Sequence, residues 1–143
     1  MKKHLTLFVC LVLFMICGGA GFAQSKSVTM EFGGKKYEIQ LSDTSAAEYF
    51  FLLLPFKNEI MNKFGGFEYY TNIQFKISSS DKRTKMYRPG HIYYNIHYNA
   101  IPIVFDDHDI SPYEAVEIGT FTDKEMIKTV SAGKSRENVS FVE

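Results

Sequence analysis

Four potential metal ligands stand at consecutive positions, Asp106-Asp107-His108-Asp109. Carboxylate oxygens and an imidazole suit calcium or a transition metal. The spacing argues against a site, because the glycine-bearing calcium loop is missing and adjacent residues do not converge readily on one ion. A solvated turn between two strands is the expected reading. His91 and His97 fall on one face of an alternating run, but at strand rise they stand about 20 Å apart and cannot chelate one metal. Lys82-Arg83-Thr84-Lys85 with Arg88 forms a modest basic patch, read as a solvated face. The aromatic stretch Phe64-Gly65-Gly66-Phe67-Glu68-Tyr69-Tyr70, together with Tyr87 and Tyr93, has the contact area to line a cleft for a peptide or small ligand. The same rings also suit the cap of a barrel end, which is the favoured reading. No Gly-x-Ser-x-Gly, phosphate-loop or dinucleotide motif occurs, so hydrolase, nucleotide and redox chemistry lack a signature. No catalytic, cofactor-binding or metal residue is assigned, and no cofactor is expected.

The elements that must position these residues are short. β-rich runs at 28–32 and 36–41 flank Gly33-Gly34-Lys35 and predict an opening hairpin, since glycine readily supplies the positive φ of a tight turn. Ser45-Ala46-Ala47-Glu48 fits a capping box for a helix that runs to Leu54 and stops at Pro55. Its residues leave hardly a polar side, which predicts a plug buried against a sheet or barrel. Residues 56–63 read as a strand, 64–70 as a glycine-broken loop, 73–77 as a short strand and 78–83 as a mobile polar loop. Over 91–98 the alternation is strict, with Ile92, Tyr94, Ile96 and Tyr98 on one face and His91, Tyr93, Asn95 and His97 on the other. Runs at 101–105, 113–119 and 138–142 complete the strands, and Thr122-Asp123-Lys124-Glu125 opens a second helix ending near Gly133. Eight short strands with two helices predict an all-β domain closed into a barrel, because closure removes exposed sheet edges.

Composition sets the compartment. The chain has 143 residues, with 16 Lys+Arg against 16 Asp+Glu. Lys2 and Lys3 precede an apolar run at 5–17 and then Gly18-Gly19-Ala20-Gly21-Phe22-Ala23, the residue order of a secretory signal peptide with cleavage after Ala23. Residues 1–23 are therefore expected to be the signal and 24–143 a single folded domain. Taking Lys2 and Lys3 from the 16 basic residues leaves 14 against 16 acidic, a net charge of −2. That charge offers no footprint for nucleic acid. Both cysteines, Cys10 and Cys17, lie in the leader, so the mature domain has neither disulfide nor thiolate chemistry. Neither follows the small residue that a lipoprotein signal needs. The apolar segment is shorter than the roughly 20 residues of a membrane span, so no stable membrane insertion of the mature chain is expected. The expected location is periplasmic or extracellular.

The order of residues resembles the small bacterial cyclophilin-like domain proteins, a family related in fold to the peptidyl-prolyl isomerases. The resemblance runs over 28–143. It rests on the opening hairpin, Asp43-Thr44-Ser45-Ala46-Ala47 leading to Leu52-Leu53-Leu54-Pro55, Met61, Glu68 with Tyr69 or Tyr70, Gly90-His91-Ile92-Tyr93-Tyr94, Ile103-Val104-Phe105, Ile118-Gly119 and Val139-Ser140-Phe141-Val142-Glu143. It implies a cyclophilin-like eight-stranded closed β-barrel with two helices. The family commonly has Asp at the place of His91 and an aromatic residue at the place of Asp106. True cyclophilins set an arginine beside a phenylalanine on the strand after the first helix, where it stabilises a twisted prolyl amide whose rotation barrier is about 18–20 kcal/mol. Here Phe56-Lys57-Asn58 holds that place with a neutral amide, and the chain has no tryptophan. The resemblance and the residues together predict an exported binding module for an unknown peptide, protein or small ligand, with a prolyl isomerase as the alternative. A groove lined by Phe56 and Met61 favours binding; an arginine reaching into it, from Arg83, Arg88 or Arg136, favours the isomerase.

Overall fold

A computed structural model describes residues 25–143. The signal peptide expected at 1–23 lies outside the described residues. The first hairpin pairs β1 (Ser27–Phe32) with β2 (Lys35–Leu41). Gly33 and Gly34 take φ of 57° and 77°, so Phe32 lies directly opposite Lys35. This two-residue turn twists with the strands and fixes the register. Val28, Met30 and Phe32 consequently share the buried face.

Eight antiparallel strands close the barrel. The remaining elements are α1 (Ser45–Leu52), β3 (Phe56–Phe64), β4 (Glu68–Asn72), β5 (Met86–Tyr87), β6 (His91–Asn95), β7 (Ala100–Val104), β8 (His108–Asp109), β9 (Ala115–Phe121), α2 (Glu125–Ser131) and β10 (Arg136–Val142). Around the barrel the order is β1-β10-β3-β4-β7-β6-β9-β2, and β2 returns to β1. The expected eight-stranded barrel with two helices is the observed architecture. β5 and β8 pair separately as a two-stranded flap.

The strand expected at 73–77 is displaced. Gly65 and Gly66, at φ of 62° and 74°, turn the chain within the aromatic stretch, and the strand after β3 is β4. Pairing of Phe64 with Glu68 and Lys63 with Tyr69 makes residues 64–70 a hairpin and not a loop. Residues 73–77 are irregular, although Ile77 is buried in the main core. The alternating strand from His91 ends at Asn95, where the Asn95 side-chain oxygen accepts the N–H groups of His97 and Tyr98 and turns the chain.

The first helix is capped differently from the capping-box reading. Thr44 is the N-cap, its hydroxyl accepting the Ala47 N–H at 3.1 Å. Asp81 supplies the rest from a distant loop, accepting the N–H groups of Ser45 at 3.1 Å and Ala46 at 3.0 Å. The 78–83 segment is thereby tied to a helix end. Burial alone pushes the Asp81 carboxyl up, but bonds from Ser79, Ser45 and Ala46 outweigh it and hold it down at about 2. The helix is also less enclosed than a plug. Ala46, Ala47 and Phe50 form its buried face, whereas Leu52 is 76% exposed.

Phe50 is the residue that fixes this helix, lying 5.5 Å from Phe141 and 5.7 Å from Phe56 between ring centres. Phe50→Ala should lower stability by about 3–5 kcal/mol, the usual cost of emptying a buried phenylalanine site. Leu52→Ala should change it by less than about 0.5 kcal/mol. Denaturant titration of the two variants checks the assignment, which equal effects would overturn.

Candidate ligand-binding site

Strand alternation along β4 creates the site. Tyr69 points into the barrel, where its ring meets Phe32 edge-on at 5.2 Å and its hydroxyl donates to the Lys134 carbonyl. Glu68 and Tyr70 therefore face outward. On β7 they lie opposite Val104 and Pro102, and on β3 opposite Phe64 and Asn62. This outer wall is not left to solvent. The flap sets Tyr87 across it, and Tyr87 packs with Phe67, Tyr93, Val104, Ile110 and Ala115 in a second apolar cluster separate from the barrel interior. The flap is fastened by the Ile110 N–H donating to the Lys85 carbonyl at 2.8 Å and by reciprocal bonds between Thr84 and Ala115. Tyr93 and Asn95, expected on an outward face with His91 and His97, are buried beneath it.

Between flap and wall runs a cleft of about 260 Å³, with Glu68 and Asn95 at its base and the rings of Phe64, Tyr70, Tyr87 and Tyr98 around it. Asn95 is only 6% exposed, and its amide donates to the Tyr87 hydroxyl at 2.9 Å. Glu68 Oε2 is shut off from solvent and meets no hydrogen-bond donor among the described residues. Burial pushes the Glu68 carboxyl up to about 7. Burial likewise raises the Tyr87 phenol, with the Glu68 charge adding to the effect. The cleft thus offers an acceptor without a donor inside an aromatic surround.

A family model described as the Cyclophilin-like family matches residues 30–142, and the closed eight-stranded barrel accords with it. The chain belongs to this cyclophilin-like family. No curated protein and no solved structure matches it. His91 and Asp106, where the resemblance leads to the expectation of other residue types, are placed differently. Asp106 is exposed, whereas His91 joins a polar relay: its Nδ1 lies 2.7 Å from Glu117 Oε2, and the Ser42 hydroxyl donates to Glu117 Oε1 at 2.6 Å. The His91 bond, helped by Ser42 against the effect of burial, keeps the Glu117 carboxyl below the ordinary range.

Of the other residues singled out in the sequence, Lys82, Arg83, Thr84, Arg88, His91 and Tyr93 line a cleft of about 510 Å³ together with Glu117, whereas the acidic run is dispersed. Asp107 pairs with Arg88 at 3.0 Å, His108 stacks on Phe67 at 3.6 Å within β8, and Asp109 accepts the Ser111 N–H. The four-residue run is thus partly a strand and not simply a solvated turn. Among the described residues no three His, Cys, Asp or Glu side chains gather as a metal site. His97 stacks on Tyr113 at a chain reversal, away from His91. In the basic patch, Arg83 pairs with Glu114 at 3.0 Å. A second groove of about 340 Å³ contains Phe56, Phe50 and Leu53, but Met61 faces the barrel interior at 0% exposure and does not line it. Asn58 is exposed in a bulge against β10 at φ of 55°, its N–H donating to Ser140, and no arginine lines either groove.

Sequence reasoning names Phe64, Tyr70 and Tyr87 as possible cleft rings but favours a barrel-end cap, sets Tyr98 on the face of Ile92 and Tyr94, and gives Glu68 no role. The available signal is a single carboxylate set among Phe67, Tyr69 and Tyr70. Its burial has a measurable consequence. The folded state holds the Glu68 proton to about 7 against 4.5 for the free side chain. The stability this proton confers is therefore complete below pH 4.5 and lost as pH rises through 7, by about 3 kcal/mol over that window. Glu68→Gln should abolish that loss. Denaturant titrations at pH 5 and pH 8 should show the Gln variant gaining on the parent by about that amount at the higher pH, and a difference independent of pH would contradict the assignment.

Proposed function

We propose that this chain is an exported binding module and that its ligand, a small molecule or a peptide side chain, seats in the Glu68 cleft. The carrying observation is the Glu68 carboxyl, which lines a cleft with four aromatic rings and has a buried oxygen that meets no donor among the described residues. Buried polar atoms are normally hydrogen-bonded, and leaving one unpaired costs about 1–3 kcal/mol. A ligand that donates to the Glu68 carboxyl from the cleft it lines offsets that desolvation and gains contact with the rings. The isomerase alternative lacks comparable support, because Asn58 is exposed outside both grooves and Arg83 and Arg88 are held by Glu114 and Asp107. With 16 Lys+Arg balanced by 16 Asp+Glu, and a net charge of −2 once the expected signal is removed, the charge counts against nucleic acid as the partner.

A library of peptides and small molecules, screened by thermal shift, should return ligands that raise the melting temperature, because binding to the native state alone stabilises it. Tyr98→Ala, which removes a rim ring without touching the buried cluster, should weaken those ligands about tenfold. Hits indifferent to Tyr98→Ala and to Glu68→Gln would place binding elsewhere. Acceleration of X-Pro isomerisation to the level of an authentic cyclophilin, in a protease-coupled assay, would favour the enzyme instead.

Export has its own support in Lys2-Lys3, the apolar run and Gly21-Phe22-Ala23. The mass of the protein recovered from the periplasm or medium should correspond to a chain beginning at Gln24. A lipid-modified chain beginning at Cys17 would refute this cleavage and move the protein to a membrane surface.

A further inference from the structure

We propose that the Glu68 cleft selects a protonated primary amine, with the ammonium donating to the Glu68 carboxylate and its carbon chain lying against Phe64, Tyr70 and Tyr98. This rests on the reading of the cleft as the ligand site and adds the chemical class of the ligand.

The hydrogen-bond inventory defines what is missing. The Asn95 oxygen is engaged by the N–H groups of His97 and Tyr98, at 3.1 Å each, and its amide nitrogen by Tyr87. Glu68 lines the cleft and has an oxygen that meets no donor among the described residues, so its carboxylate is the acceptor that the site presents. None of the nine residues lining the cleft is Lys, Arg or His, so the lining supplies no positive charge of its own. The surrounding rings add to the same preference. Aromatic faces attract cations within about 6 Å of the ring centre, most strongly where water is excluded. An acidic or phosphorylated ligand would meet the reverse on all counts.

The type of cation follows from the oxygen and the volume. A quaternary ammonium has no N–H to give the Glu68 carboxylate, whereas a primary ammonium carries three donors. About 260 Å³ lies below the roughly 300–1,000 Å³ of pockets for drug-sized ligands, so the cleft holds one short chain. A free alkylamine and the lysine side chain of a peptide share this chemistry.

Proton linkage supplies a readout beyond affinity. An ammonium requires the ionised carboxylate, and burial pushes the Glu68 carboxyl up to about 7. The other ionisable groups facing it are the phenols of Tyr70 on β4, Tyr87 on the flap and Tyr98 beyond β6, while β3 and β7 present Phe64, Ala100 and Pro102. Tyrosine ordinarily titrates near pH 10, so dependence between pH 6 and 8 reports Glu68. With a group titrating near 7, the ionised fraction falls about tenfold from pH 8 to pH 6.

The experiment is a titration of the purified protein with n-butylamine, Nα-acetyl-lysine N-methylamide, n-butanol and tetramethylammonium, followed by backbone NMR shifts at Tyr87, Asn95 and Ala100. Butylamine or the lysine diamide should bind at least tenfold more tightly than butanol or tetramethylammonium and should weaken about tenfold from pH 8 to pH 6. Glu68→Gln should erase both the preference and the pH dependence while leaving the fold's NMR spectrum intact outside the cleft. Tighter binding of the diamide assigns the ligand to a peptide lysine; tighter binding of butylamine assigns it to a free amine. If butanol binds at these residues as tightly as butylamine, the cleft stands as a ligand site and the amine class is overturned. The amine class also falls, with the site intact, if both amines fail while a library ligand remains sensitive to Tyr98→Ala. Failure of all four compounds together with indifference of every library hit to Tyr98→Ala overturns the site as well.

Discussion

Tyr69 is held inside the barrel by its edge-on contact with Phe32 and by the bond from its hydroxyl to the Lys134 carbonyl, and β4 has no freedom to slip past that anchor. A one-residue shift would send Tyr69 outward and draw two polar or half-polar neighbours into the core. The Gly65-Gly66 turn reinforces the register by setting Phe64 against Glu68. Glu68 therefore faces the flap as a consequence of how the barrel core is packed. The outer wall inherits its chemistry from the inner one.

The flap decides what that outward position means. Left in water, a glutamate on a barrel wall is ordinary; beneath Tyr87 and beside Phe67 it is desolvated. Burial of Phe67, Val104 and Ile110 contributes about 1.5–3 kcal/mol each, which together exceeds the roughly 3 kcal/mol needed to keep one ionised carboxylate from water. The apolar cluster accordingly holds the flap down over an acid that opposes it. Such a conflict between local and global preference is what a functional position looks like in an otherwise consistent fold.

Much of the barrel is legible in the sequence because its signals are local. Gly33-Gly34 between β-rich runs marks a turn by itself, and Ile92 and Tyr94 announce a buried face by spacing alone. The failures share a different cause. Alternation separates two faces of a strand but does not say what covers the second one, so Tyr93 and Asn95 read as outward although Tyr87 arrives from another part of the chain to bury them. The same holds for the first helix, where Glu48 completes a capping box in sequence and Asp81, distant in sequence, does the capping in space. Gly65-Gly66 reads as an interruption because the aromatic residues on both sides suit a loop or a strand equally. Family resemblance carries Glu68 as part of a pattern; its desolvation is a tertiary property with no signature in residue order.

Two outward-facing carboxylates on barrel strands separated by β7 and β6 show how the candidate site is distinguished from ordinary structure. Glu117 on β9 has both oxygens engaged, by His91 and by Ser42, and its carboxyl is pulled below the ordinary range. Glu68 on β4 has an oxygen that meets no donor among the described residues, and its carboxyl is pushed well above that range. The first arrangement completes its own hydrogen bonding and ties β9 to β6 and to the segment before α1. The second leaves a demand that the described protein residues do not meet. Fold membership treats the two acids alike, since function resides in sites grafted onto folds. Their surroundings separate them: one partnered acid knits strands together, and one unpartnered acid faces a ring-lined cleft of a size suited to a short ligand.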